Sequence, residues 1–337
     1  MGETHPTAPV FIVGPGRSGT TLVRSLLSAH SRLCVTPETH FLKTAEAHGG
    51  LATGAPADFD AFWARYSASP RFKDLGVDPE RCRQLVAQRG EPTMRSIFAA
   101  LLDAYGERCG KPRVGEKTPG HWRWLDEIEA CFPGARTILL RRDPRAVVAS
   151  QLKTPWGKPN GGGSVLESRA ARIALYAREW RELFTSGLAE RPSVLVVDYE
   201  ALVSDAEREA RRMCAFLGES YEPAMLTDRS DRNAPPPAAM QDRRGAWSEW
   251  AVDHNRKTLS AISTASVEAW RSELGRGEVA MIEGWCATPM RAAGHLPVSS
   301  RRDRALGTLG LHAVRALESA EGRARRAVRG LRRAPQG

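Results

Sequence analysis

A membrane-spanning helix needs about eighteen consecutive apolar residues, and no run in this sequence approaches that length. The N-terminus also lacks the charged and apolar segments of a secretory leader. A short polar stretch passes straight into Val10-Phe11-Ile12-Val13, which reads as a buried strand. Pro6 stands where an N-myristoylation signal following Met1-Gly2 wants serine or threonine. Cysteine is sparse and unpatterned: Cys34, Cys82, Cys109, Cys131, Cys214 and Cys286 show no C-x-x-C spacing and no histidine cluster beside them. That excludes a zinc module and predicts reduced thiols in a reducing, cytoplasmic compartment. Acidic charge is scarce at one end. Of the net +10, the residues from Ser299 onward hold +7, with ten arginines against Asp303, Glu318 and Glu321, which leaves an unremarkable +3 for the first 298 residues. A nucleic-acid partner is therefore not expected of the folded body, and the tail is compatible with weak contact with an acidic membrane surface, peripheral to it.

The most informative absence is a single lysine. From Gly14 to Thr21, in "VFIVGPGRSGTTLV", the glycines and the final threonine fit the phosphate-loop pattern G-x-x-x-x-G-K-[ST], but Thr20 occupies the lysine position. That lysine normally reaches the β- and γ-phosphates of a nucleoside triphosphate. Backbone N–H groups of a glycine-rich turn, with the positive end of the next helix, make an anion site without it. Arg17, Ser18, Gly19, Thr20 and Thr21 surround one such site, with the positive charge moved onto the loop at Arg17. This suits a 5′-phosphate bearing one further group better than a triphosphate with magnesium.

What is present reads as an α/β protein. Val10 to Val13, Thr137 to Leu140 and Val194 to Val197 are short apolar runs, each followed by a turn and a helical pattern. Strands alternating with helices predict a three-layer α/β/α fold around a parallel sheet, P-loop-NTPase-like, with ligands beyond the C-terminal strand ends. Residues 41 to 110 read as a helical insertion, Gly163 to Phe184 as one helix, and Arg304 to Leu331 as a basic helix with sparse apolar residues. The glycine-rich Thr154 to Ser164 and proline-rich Asn233 to Gly245 read as surface loops. The expected organisation is a short tail over 1–8, one domain over 9–297 and a basic tail over 298–337.

In "RTILLRRDPRAVVAS", Arg142 follows a strand and Ser150 lies eight residues on, two helical turns along. A guanidinium and a hydroxyl there suit a second phosphate, and two phosphate sites imply a nucleotide phosphorylated at two ribose positions. With these residues in hand, the chain resembles the sulfotransferases that use 3′-phosphoadenosine 5′-phosphosulfate (PAPS), over most of residues 9 to 297. Arg17 to Thr21 looks like that family's 5′-phosphosulfate loop, Arg142 with Ser150 like its 3′-phosphate motif, and Tyr199 in "DYEAL" is similar to its adenine-contacting tyrosine. Arg243 and Arg244 loosely resemble a basic segment that reaches the 3′-phosphate.

The resemblance implies transfer of a sulfuryl group from PAPS to a hydroxyl, with cations rather than a metal balancing charge on the leaving phosphate. Arg17 and Lys117 are the implied cations; ion pairing of Lys117 with Glu116 is the structural alternative. Glu38 lies at a spacing similar to the catalytic glutamate of tyrosylprotein sulfotransferases, with His40 and His121 as alternative bases. The acceptor stays open among a small molecule, a sugar and a lipid, and nothing in the sequence selects an oligomeric state. Two other readings are a P-loop nucleotide kinase, which would want the missing lysine, and a non-catalytic protein that binds membranes or nucleic acid through its tail.

Overall fold

The computed structural model describes residues 8–48, 54, 56, 58–154, 168–229 and 262–331. The chain divides into two compact units, one formed by Met1–Arg141 with Ala189–Thr264, the other by Arg142–Leu188 with Ala265–Gly337.

The first unit holds the whole sheet. Strands β1 (Val10–Val13), β2 (Leu33–Val35), β3 (Arg113–Lys117), β4 (Arg136–Arg141) and β5 (Val194–Asp198) lie in the order β2-β3-β1-β4-β5, all parallel. Every residue of β1 is buried, which explains its unbroken apolar run: a central parallel strand is covered on both faces. The flanking helices complete the three-layer α/β/α architecture expected of the sequence. Helix α1 (Thr20–Ala29) follows β1. Between β2 and β3 the insertion is entirely helical among the described residues: α2 (Phe41–Ala47), α3 (Phe59–Ser67), α4 (Pro70–Lys73), α5 (Pro79–Gln88) and α6 (Met94–Cys109). Asp58, Ser69, Asp78 and Thr93 each accept a backbone N–H at the start of α3, α4, α5 and α6, and Pro70 and Pro79 occupy first-turn positions where no donor is lost. Aromatic contacts tie the insertion to the sheet: Phe98 meets Phe11 of β1 edge-on at 6.0 Å and stacks on Phe41 at 4.5 Å. Short helix α7 (Leu125–Cys131) precedes β4.

The second unit begins directly after β4. Helix α8 (Pro144–Leu152) starts at an Asp143 cap, and α9 (Arg169–Thr185) at a Ser168 cap. The sequence places the start of this second helix at Gly163; residues 163 to 167 lie outside the described residues. In the first unit β5 leads into α10 (Tyr199–Ser204), α11 (Ala206–Leu217) and α12 (Ala224–Thr227). The second unit closes with α13 (Trp270–Glu273), α14 (Arg276–Ala292) and α15 (Arg301–Leu331). Its core joins Val147, Val148, Ala177, Trp180, Ile282 and Cys286, and Leu311 of α15 enters the same core. The start of the arginine-rich tail is therefore an integral helix. A Cβ at Gly307 would sit 2.6 Å from the Ala280 carbonyl, so glycine here lets α15 approach the backbone of α14.

Arg145 anchors this unit. Its Nη1 lies 2.7 Å from Glu283 Oε1, its Nη2 lies 2.6 Å from Asp143 Oδ2, and its guanidinium stacks 4.1 Å over Trp270. Glu283 also accepts the Val298 and Ser299 N–H groups at 2.8 and 2.9 Å, fixing the approach to α15.

Candidate active site

The glycine loop sits where the sequence places it, between β1 and α1. Arg17 has a φ of 71°, a left-handed conformation unusual for a residue with a side chain. Helix α1 begins at Thr20 behind Gly19, with no side-chain cap and no acidic residue in its first turn. Its leading N–H groups have no intrahelical partners, and the helix dipole adds positive potential there. Ser18 and Thr20 are buried, and Ser18 Oγ finds no hydrogen-bond partner among the described residues, an uncompensated donor of the kind a bound anion satisfies. Tyr199, at the start of α10, packs its ring against the loop: a Cβ at Gly19 would stand 2.5 Å from the ring, and Gly19 has a φ of 101°. Glycine is thus required there both for conformation and for the close approach of Tyr199.

A charged cluster lies at the C-terminal end of the neighbouring strand. Lys117, the last residue of β3, is in register with Ile12 of β1, and Gly14 N donates to Pro119 O at 3.0 Å, which joins the glycine loop to the turn after β3. Lys117 Nζ donates to Glu38 Oε1 at 2.8 Å, and His40 Nε2 lies 3.1 Å from Glu38 Oε2. Lys117 therefore pairs with Glu38 and not with Glu116; successive strand residues face opposite ways, so Glu116 is turned from it. The Lys117 side chain is nearly buried, whereas Glu38 and His40 keep about 30% and 33% of theirs exposed. Burial pushes the Glu38 carboxyl up, but the Lys117 ammonium, His40 and Arg71 outweigh it and hold the group well below the ordinary carboxylate range. Lys117 ends below its ordinary value because burial outweighs the attraction of Glu38. His40 has a φ of 48°; with Arg17 it completes the set of non-glycine residues with positive φ among the described residues. Both belong to this region, and strained backbone gathers where a site must hold a set geometry.

Behind the cluster lies an interior clasp that sequence reasoning missed. The Glu116 carboxylate, fully buried, accepts Thr39 Oγ1 at 2.8 Å, Thr118 Oγ1 at 2.5 Å and His121 Nδ1 at 3.0 Å. Thr118 Oγ1 also accepts His40 N at 3.3 Å. One carboxylate thus grips the residue after Glu38 and the residue after Lys117. The signal was available: alternation along β3 sends Glu116 inward as surely as it sends Lys117 toward Glu38. His121 is fully buried within this clasp, without the exposure that His40 has.

A sequence profile described as Sulfotransferase family matches residues 9–223, well over half of the chain. The chain belongs to the sulfotransferase family. Among curated relatives, this sulfotransferase chain is 28% identical over 280 residues to nodulation protein NoeE of Sinorhizobium fredii, covering 78% of the chain and 60% of the relative. It is 27% identical over 218 residues to protein-tyrosine sulfotransferase 1 of Danio rerio, covering 64% of the chain and 55% of the relative. The chain thus matches between half and two thirds of the length of these relatives. Its fold is similar to the sulfotransferase domain of the Curacin biosynthetic pathway, with a TM-score of 0.58 at 18% identity over 86% of this chain and 98% of that one. A second such domain, from the olefin synthase of Synechococcus PCC 7002, gives 0.53 at 22% identity over 93% and 96%.

Arg142 and Ser150 belong to the second unit. Arg142 follows β4 by one residue and is buried; its Nη2 donates to Ser266 O at 2.6 Å and its carbonyl accepts Trp180 Nε1 at 2.9 Å. Ser150 lies on α8, partly exposed. Arg243 and Arg244 lie outside the described residues, as do Asn233 to Gly245 and the stretch from residue 155 to Ser164.

Proposed function

We propose that this sulfotransferase transfers the sulfuryl group of PAPS to the hydroxyl of a small molecule, a sugar or a lipid, leaving adenosine 3′,5′-bisphosphate, in a cytoplasmic compartment. The observation that carries the reading is the loop from Gly14 to Thr21: an uncapped helix start, a buried Ser18 hydroxyl without a partner among the described residues, and Thr20 in place of a triphosphate-binding lysine. In this reading Arg17 to Thr21 take the 5′-phosphosulfate, Tyr199 the adenine, and Arg142, Ser150, Arg243 and Arg244 the 3′-phosphate. Some relatives are named as protein-tyrosine sulfotransferases, so phenolic hydroxyls belong in the acceptor screen.

The chemistry follows from the cluster. The acceptor oxygen bonds to sulfur, the bond from sulfur to the 5′-phosphate oxygen breaks with its electron pair leaving on that oxygen, and the acceptor proton passes to Glu38. Glu38 is ionised at neutral pH because its carboxyl is held so low, and it is the partly exposed carboxylate of the cluster. A carboxylate held low is a weak base while Lys117 faces it. Lys117 cannot neutralise Glu38 and an incoming sulfonate equally. As it turns to the sulfonate, Glu38 loses its counter-charge and its proton affinity rises when the acceptor is deprotonated. Lys117 and Arg17 then meet the charge growing on the leaving phosphate oxygen.

Titration calorimetry with adenosine 3′,5′-bisphosphate beside ATP with magnesium tests the donor class without knowledge of the acceptor. Tight bisphosphate binding with weak ATP binding is expected, and Arg142→Ala should weaken the former by about 1.5 to 3 kcal/mol, the range for a hydrogen bond to a charged group. Tighter ATP binding would overturn the proposal in favour of a triphosphate site.

A further inference from the structure

Among the described residues, six large apolar side chains are exposed, and five of them, Leu296, Val298, Leu306, Leu309 and Leu317, fall in one stretch of 22 residues around the start of α15. The chain's positive charge gathers at the same end. Helix α15 has two apolar faces. One, through Gly307, Leu311 and Val314, packs into the core of its own unit. The other repeats Leu306, Leu309, Ala313, Leu317 and Ala320 at spacings of three and four, all exposed, and so forms a continuous outer stripe. Arg302 and Arg323 are exposed beside this stripe by helical spacing, whereas Arg315 lies over the Trp285 ring on the inner side. An apolar stripe on a fixed helix that stays exposed among the described residues marks an interaction surface.

We propose that this outer face of α15 docks on an anionic lipid bilayer, with the leucines entering the boundary between headgroups and acyl chains and the arginines meeting the headgroups. Charge and apolarity together select this occupant. A nucleic acid would satisfy the arginines and leave the leucines in water. A second copy would bury the leucines but bring another helix of the same +7 region against the first, and like charges oppose that contact. An anionic bilayer satisfies both features at once. The inference is independent of the reaction, since it uses none of the residues assigned to it.

The test uses the full chain, sedimented with phosphatidylcholine vesicles with and without phosphatidylglycerol. Binding is expected only to the vesicles containing phosphatidylglycerol, and it should weaken as salt screens the headgroups. The double variant Leu309→Asp with Leu317→Asp should lower partitioning by about tenfold or more, since charges replace the inserting side chains. Its thermal midpoint should match that of the parent, because both leucines are exposed; a matching midpoint ensures that lost binding does not reflect lost fold. Equal binding to both vesicle types, no binding to either, or full binding by the double variant would each overturn the proposal. So would a dimer in light scattering that the double variant splits, which would assign the stripe to a second copy.

Discussion

The molecule contains two charged clusters built from similar chemistry and put to opposite uses. In the second unit, Arg145 meets Asp143 and Glu283, all three nearly or fully buried, and the Glu283 carboxylate is saturated by the guanidinium and two backbone N–H groups. In the first unit, Lys117 and His40 each hold one oxygen of Glu38, and the carboxylate keeps an open side. The closed cluster stands on relaxed backbone, with Arg145 inside a capped helix; the open one sits beside His40 and the loop carrying Arg17, both at positive φ. An ion pair therefore does not announce chemistry by itself. Access, unsaturated valence and strained backbone separate a site that can exchange partners from one that cannot.

The largest expected effect breaks the open cluster. Glu38→Gln keeps the shape and removes the proton acceptor, so turnover should fall by about 10²- to 10⁴-fold, the usual contribution of general acid–base catalysis. Bisphosphate affinity, read by calorimetry, should stay nearly constant, because a base acts mainly in the transition state. Turnover that survived would move the base to His40, which is partly exposed, and not to His121, which lies sealed against Glu116.

The open cluster was more legible in the sequence than the closed one, for physical reasons. Its parts hang on local signals: the buried run Val10 to Val13, the glycine loop and the strand-like end of β3 each declare themselves within a few residues. Strands β4 and β5 were readable in the same way. Strand β2 was not, since Leu33–Val35 is three residues long and too short to show a period. Lys117 pairs with Glu38 and not with Glu116, the structural alternative, because alternation across a strand prevails over adjacency in sequence. The closed cluster joins Arg145 to a glutamate 138 residues away, and no local pattern carries that. The packing of α15 was hidden for a different reason: its close approach to α14 is made at Gly307 and Gly284, and the absence of side chains there leaves no apolar signal to read.

Breaking the closed cluster should cost stability. Glu283→Ala leaves the buried guanidinium with Asp143 and the Leu296 carbonyl but removes one of its partners and frees the Val298 and Ser299 N–H groups, so equilibrium unfolding in denaturant should show a loss of about 1 to 3 kcal/mol. Glu283→Gln, which keeps the acceptor oxygen and the volume, should lose less. An Ala variant as stable as the parent would mean that Asp143 alone satisfies Arg145, and that the approach to α15 is held by its apolar contacts.

The smallest effects lie in pH, and they separate the clusters most cleanly. Burial pushes the Glu283 carboxyl up, but hydrogen bonds from Ser299 and Val298 and the Arg145 contact outweigh it, leaving its folded value below the ordinary 4.5. A carboxyl lowered by folding contributes stability that is fully present above its unfolded value and is lost as pH falls through the folded one. Stability should therefore decline below about pH 4.5, and Glu283→Gln should flatten that decline without moving the acid limb of turnover. For Glu38 the titration should appear in turnover: Lys117→Met removes the leading charge that holds the carboxyl low, so the acid limb should shift to higher pH. Each substitution thus has its own readout, stability for the saturated carboxylate and rate for the open one. If Glu283→Gln moved the turnover limb, or Lys117→Met left it in place, the division between a structural and a chemical ion pair would fail.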